Sequence, residues 1–232
     1  IKRYEKWLAY WVSERDRGQV HAINKGFSVS SGTIFGFINS DDVYNPETFE
    51  RLAEAYLKFK RKKRFWIAFG VEDFNKNRSY GIVWPKENNC LADWIDYRAY
   101  LHQPGVFWSR EIFKDVGGFD EEYNYAFDRK FFVTALMKGY KLNTRRYFVS
   151  TRFRHHDESK TEVVGSVNNL GFAPEFIKIS EWAKKELNLI QQMRACFDRV
   201  FPRDEELGQK LLKDSLNNDG RNKIYKLSLL LK

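Results

Sequence analysis

Cysteine, long apolar runs and low-complexity tracts are scarce or missing in this chain, and each scarcity excludes something. Cys90 and Cys196 are the only cysteines in 232 residues, and they show no metal-type spacing. Metal binding through sulfur is thereby excluded, and two thiols in a reducing compartment are the expectation. No apolar stretch approaches the ~20 residues that cross a bilayer, and no secretory signal pattern is visible. Nor does any internal repeat or low-complexity tract interrupt the chain. An initial Met is lacking too. The chain opens on Ile1-Lys2-Arg3-Tyr4-Glu5-Lys6, which reads as the tail of a helix and suggests a beginning cut off or unlisted.

What is present in quantity is aromatic and basic. Aromatic residues make up 17% and apolar residues 43%, the composition of a globular chain with enough material for one large domain or two small ones. The formal net charge is +9, which favours anionic partners: nucleic acid, nucleotide diphosphates or an anionic membrane surface. The basic residues are scattered except for Lys58, Lys60, Arg61, Lys62, Lys63 and Arg64. Those close an amphipathic helix, where cations are favourable at the C-terminal end.

The chain is organised around Thr33-Ile34-Phe35-Gly36-Phe37-Ile38-Asn39-Ser40-Asp41-Asp42-Val43-Tyr44-Asn45-Pro46. The apolar part reads as a buried strand. Asn45 is suited to an N-cap and Pro46 to the first helical position. Phe49, Leu52, Ala53, Tyr56 and Leu57 then form the apolar stripe of a helix. Asp41 and Asp42 thus fall at the carboxyl end of a strand, the edge where open α/β sheets bind ligands. Two adjacent carboxylates repel unless a cation or donors are supplied, and hard oxygen ligands suit Mg²⁺ or Mn²⁺. The alternative is an Asx-turn, in which Asp41 only bonds the turn backbone.

Around this centre, the run 7–12 reads as a buried strand, followed by a polar loop and a short helix with Val20, Ile23 and Phe27 inward and Gly26 as its end. Strands are expected over 65–74 and 140–153, with 80–84 as a hairpin arm. A short helix fits 91–100. Residues 102–108 read as extended, Ser109 as the cap of a helix stopped by Gly117-Gly118, and Asn124 as the cap of a helix reaching Lys138. From Pro174 onward the chain reads as mostly helical and strongly charged.

Three blocks carry a resemblance. The first is Ser13-Glu14, Asp16, Gly18-Gln19, Ala22-Ile23-Asn24-Lys25-Gly26, followed by Asn39-Ser40-Asp41-Asp42. The second is Gln103-Pro104, Phe107, Arg110, Phe113, Val116-Gly117-Gly118-Phe119-Asp120-Glu121 and Tyr125-Ala126-Phe127-Asp128. The third is His156, Ser159, Lys160 and Thr161. In this order they resemble family 2 glycosyltransferases of the GT-A fold. The resemblance implies an α/β, Rossmann-like mixed sheet flanked by helices. It covers 1–165 as a partial GT-A domain, N-terminally incomplete, with 166–232 as a helical C-terminal extension. The family's first strand, helix and nucleobase-binding strand would lie upstream of Ile1.

The resemblance also implies roles. Asp42 would hold a divalent cation, Mg²⁺ or Mn²⁺, with Asp41 on the ribose or in the metal's shell. Asp128 would be the general base that takes the acceptor hydroxyl's proton in an inverting transfer. On its own, an Asp in a first helical turn equally serves the helix N-terminus. His156 would approach the metal or diphosphate, with His155 a neighbour that leaves the assignment shared. Asp16, Gln19, Asn24 and Lys25 resemble the donor-binding segment, and helix capping and solvation also account for them. The implied partners are a UDP- or GDP-linked sugar donor and a glycan or lipid-linked acceptor in surface polysaccharide or glycolipid synthesis. The implied setting is the cytoplasm, with contact at the inner membrane face. Trp182, Leu187, Leu189 and Ile190 among Lys178, Lys184 and Lys185 allow a helix on a membrane, or one packed on the catalytic domain. Two rivals stand beside this reading: an inactive fragment or interaction module, and a basic nucleic-acid-binding protein. The second needs a clustered cationic face with exposed stacking aromatics.

Overall fold

Six consecutive buried residues, Trp66 to Val71, mark a strand covered on both faces, and the sheet is built around it. The computed structural model describes residues 1–86, 90–157, 159 and 171–187. Its strands are β1 (Ile34–Phe35), β2 (Val43–Tyr44), β3 (Trp66–Phe74), β4 (Ser79–Val83), β5 (Val106–Ser109) and β6 (Asn143–Arg154). They form one mixed sheet in the order β1-β5-β3-β6-β2. Only β3 and β6 run parallel; β5 pairs with Trp66–Ala68 and β4 with Val71–Phe74 along the opposite edge of β3.

Helices α1 (Gln19–Val29), α2 (Thr48–Lys58), α3 (Leu91–Ile95), α4 (Arg110–Val116), α5 (Phe127–Met137) and α6 (Phe172–Glu186) flank the sheet. The main core holds Phe27, Phe35, Trp66, Trp94, Trp108, Ile112, Phe119, Phe131 and Phe132. A smaller one, under α2, holds Leu52, Phe65, Ile67, Phe69 and Phe107. Gly117 ends α4 in the left-handed region at φ 94°, as the Gly-Gly stop predicts.

Several expected elements differ. The run 7–12 is not a buried strand: Trp7 ends a 3-10 turn (Lys2–Trp7), and residues 8–12 are exposed and have no strand partner among the described residues. Its apolar character matched a strand, but no strand of the sheet pairs with it. Helix α1 continues through Gly26 to Val29 and buries Phe27 beyond the glycine, a gain set against the ~1 kcal/mol that a helical glycine costs. The strand expected over 33–38 is hydrogen-bonded only at Ile34–Phe35. Asp41 and Asp42 accordingly lie between two short strands rather than between strand and helix. Asn45 does not cap α2: its amide donates to Val149 O at 2.6 Å, and the helix begins at Thr48. Of the apolar stripe expected on α2, Leu52 is buried while Phe49 and Leu57 are exposed. The helix expected over 91–100 stops at Ile95, and α5 begins at Phe127 rather than at Asn124. Residues 189 and 190 lie outside the described residues, as does Lys160.

Candidate active site

A cavity of about 430 Å³ opens where the C-terminal ends of β3 and β6 meet the turns before β2, β5 and α5. That size suits a small-molecule site, and its wall is rich in aromatic residues, including Phe37, Tyr100, Phe127, Phe153, Phe172 and Phe176. Polar and charged side chains, among them Asp73, His102 and Asp128, line it as well.

The turn that carries Asp41 and Asp42 is closed by the Asp42 N–H donating to Asn39 O at 3.2 Å. Gln19 and Gln103 brace it, donating to Asn39 Oδ1 at 3.0 Å and to Phe37 O at 2.8 Å. Asp42 is buried. Its Oδ1 accepts the Arg154 N–H at 3.0 Å, while Oδ2 has no hydrogen-bond partner among the described residues. Burial pushes its carboxyl up to about 6, helped by the Asp41 charge and opposed by the Arg154 N–H. Asp41 Oδ2 lies 2.8 Å from His156 Nε2, both partly exposed. The antiparallel pairing of β2 with β6 makes this contact, since it sets Val43 against Arg152 and carries the chain on to His156.

Residue types here fit a divalent cation of the Mg²⁺ or Mn²⁺ kind: two carboxylates, one with an orphaned buried oxygen, and an imidazole that favours Mn²⁺. Among the described residues no three His, Cys, Asp or Glu side chains converge into a ready cage. That suits an ion that keeps waters and shares its shell with substrate phosphates.

Asp128 stands in the first turn of α5, where its Oδ1 accepts the Arg129 N–H at 2.7 Å. It lines the cavity. Burial pushes its carboxyl up to about 6, against the opposing pull of the Arg129 N–H and guanidinium and of His102. Arg129 is itself buried and forks onto Ala99 O and Trp94 O, so it anchors the turn rather than reaching the cavity mouth.

Two cavity residues, Asp73 and His102, escaped the reading of the sequence, and His155 entered it only as the neighbour of His156. His102 Nε2 lies 2.7 Å from Asp73 Oδ1, and His155 Nε2 lies 3.6 Å from Asp73 Oδ2. Burial works against the Asp73 charge, yet the two imidazoles hold its carboxyl below the usual range. His102 also acts electrostatically on both Asp42 and Asp128, so it joins the two halves of the site. The only signal in the sequence is that His102 directly precedes Gln103-Pro104.

The donor-side residues are only partly gathered. Gln19 lines the cavity beside Asn39. Asn24 does not reach it, since its amide clamps the Phe119 backbone, donating to O at 2.8 Å and accepting from N at 3.0 Å. Lys25 pairs with Glu14, Asp16 lies 3.3 Å from His21, and Arg17 forks onto Glu121 at 2.9 Å.

The family described as Glycosyl transferase family 2 matches residues 1–103. Uncharacterized glycosyltransferases from two Mycobacterium tuberculosis strains, CDC 1551 / Oshkosh and H37Rv, are each 28% identical over 135 residues. Those matches cover 57% of this chain and 50% of each relative, so the chain spans about half the length of the curated relatives it matches. In fold the chain is similar to S. aureus TarS 1-349 crystallised with UDP-GlcNAc, at a TM-score of 0.59 and 16% identity, covering 88% of this chain and 59% of that one. The mixed α/β sheet flanked by helices is thus of the GT-A type, as expected.

Proposed function

Starting from a chain that is related to the family 2 glycosyltransferases, we propose that it moves a sugar from a nucleoside-diphosphate donor to a hydroxyl acceptor, with inversion. The observation that carries this reading is two distinct acidic groups set about one cavity. At one end Asp41, Asp42 and His156 flank it beside its lining residues Asn39 and His155, and at the other Asp128 and the Asp73–His102 pair line it. Opposite roles are what such a reaction requires. One end neutralises the departing diphosphate, and the other accepts a proton from the attacking oxygen.

In the first role Asp42 and Asp41 would hold Mg²⁺ or Mn²⁺ with His156 beside them, and that ion would stabilise negative charge on the leaving group. Asp128 accepts the acceptor's hydroxyl proton at its free carboxylate oxygen, Oδ1 being engaged by the Arg129 N–H. A carboxyl raised toward neutrality is a better match to that task than an ordinary one. Gln19 and Gln103 hold the acidic turn in shape, and the aromatic wall excludes water from the reacting centre. The S. aureus structure of similar fold was solved with UDP-GlcNAc, which makes UDP-GlcNAc the first donor to try and a GDP-linked sugar the second. Surface polysaccharide or glycolipid synthesis at the inner face of a membrane is the setting we infer, with a glycan or lipid-linked acceptor.

Calorimetric titration of UDP and GDP, with and without Mn²⁺, tests the donor half. We expect metal-dependent binding of one nucleotide that is lost in Asp42→Ala and weakened in Asp41→Asn. A well-folded chain that binds neither nucleotide would favour an inactive glycosyltransferase-like module instead.

A further inference from the structure

Helix α6 lies outside the family-matched residues, yet it contributes directly to the site. Glu175, in its first turn, sends a carboxylate across to the segment that leads into α5. Glu175 Oε1 accepts the Asn124 N–H at 2.8 Å, and Oε2 accepts those of Tyr125 and Ala126 at 2.9 and 2.7 Å. Asp128 follows two residues later. These N–H groups precede the first helical residue, Phe127, so the carboxylate, distant by 49 to 51 residues, ties down the segment from which α5 starts. Three charge-assisted bonds to consecutive backbone N–H groups fix the direction in which the helix starts.

Neighbouring contacts hold α6 against α5, against the turn that precedes it and against α3. Phe176 lies against the Arg129 guanidinium at 4.6 Å, and Trp182 against the Lys130 ammonium at 3.2 Å. Ser180 Oγ donates to Ile95 O at 2.9 Å, and Lys178 pairs with Glu122 at 3.1 Å. Phe172 and Phe176 meanwhile line the cavity beside Asp128. Helix α6 is therefore both a wall of the cavity and the brace of the turn that presents its carboxyl.

We propose that Glu175 is a positioning residue for sugar transfer, acting through the backbone of 124–126 to aim Asp128. The inference rests on the transfer reading above. Misplacing a reacting group by about 1 Å costs on the order of 10²-fold in rate.

The test compares wild type, Glu175→Ala and Glu175→Gln in two assays. One is calorimetric binding of UDP in Mn²⁺; the other is UDP release from UDP-GlcNAc with methyl β-glucoside or water as acceptor. Glu175→Ala is expected to lower kcat by on the order of 10²-fold, with the UDP affinity within about twofold of wild type. Glu175→Gln keeps one accepting oxygen and its shape, so it should recover part of that loss. A kcat within about threefold of wild type in Glu175→Ala overturns the inference. So does a parallel loss of UDP affinity and melting temperature in both variants, which would make the contact merely structural. Wild-type protein that binds neither UDP nor GDP in Mn²⁺ would instead overturn the transfer reading, and this inference with it.

Discussion

Asp128 is placed under two demands that pull against each other. Its burial raises the carboxyl to about 6, while the role of base that we propose for it needs the ionised form. The rate should therefore fall below about pH 6, and Asp128→Asn should lose on the order of 10²–10⁴-fold in transfer. Stability carries the opposite sign. A folded-state pKa above the ordinary 3.8 means that ionisation opposes folding. The cost is absent below about pH 4, grows as pH rises toward 6, and stays in full above that. Thermal melts should find Asp128→Asn more stable than wild type at about pH 7.5, by roughly 1–2 kcal/mol after solvent discount, with the gap closed at about pH 4. A variant that melts lower than wild type at the higher pH would refute the burial account. At this scale Asp41, Asp42, Asp128 and His156 were legible because each sits in a motif. Asp73 and His102 were not, being 29 residues apart and unremarkable singly until β3 and the 103–105 turn bring them together.

Among the elements, the short 3-10 turn Gln103–Gly105 shows how closely the sheet and the site are coupled. A Cβ on Gly105 would come within 2.6 Å of Val71 Cγ2 and 2.9 Å of the Phe69 carbonyl oxygen. The backbone partner cannot yield as a side chain can, so the turn carrying His102 and Gln103 would have to shift. Gly105→Ala should cost about 1–3 kcal/mol by denaturant titration, and should lower activity beyond what the stability loss explains. An unchanged midpoint would mean that the turn is less tightly seated than its contacts indicate. Helix α6 teaches the complementary lesson. Its amphipathic pattern allowed a membrane face or a packed one; the fold buries Ile179, Ala183 and Leu187 with Trp182 against the core.

For the molecule as a whole, the exposed aromatic residues at the front matter most. Tyr4, Trp7 and Tyr10 are 57%, 75% and 53% exposed, with Leu8 and Val12 beside them. The strands that end the sheet's path, β1 and β2, are only two residues long, so this aromatic segment is the larger exposed apolar feature. Self-association is thus expected through the aromatic segment, opposed by the +9 charge until salt screens it. Sedimentation velocity should show association that rises with salt and is weakened in the Trp7→Ser, Trp11→Ser double variant. A monomer at every salt concentration would count against this. Among the described residues no helix is long and apolar enough to cross a membrane.

Local order sufficed for much of this protein. Apolar runs determined β3 and β6, the Gly-Gly stop ended α4, and the spacing of three motif blocks pointed to the fold and to its acidic residues. These are near-neighbour effects: periodicity, left-handed glycine and turn chemistry act over a few residues. Only tertiary structure decided that the run 7–12 has no strand partner, that Asn24 and Lys25 are engaged in pairs, and that Asp73, His102 and Glu175 stand around the site. Strand partners, carboxylate–imidazole contacts and a carboxylate that binds backbone N–H groups 49 residues away are pairings across the fold. Burial and hydrogen bonding settle such pairings once the sheet has brought their members together, and nothing in the adjacent sequence encodes them.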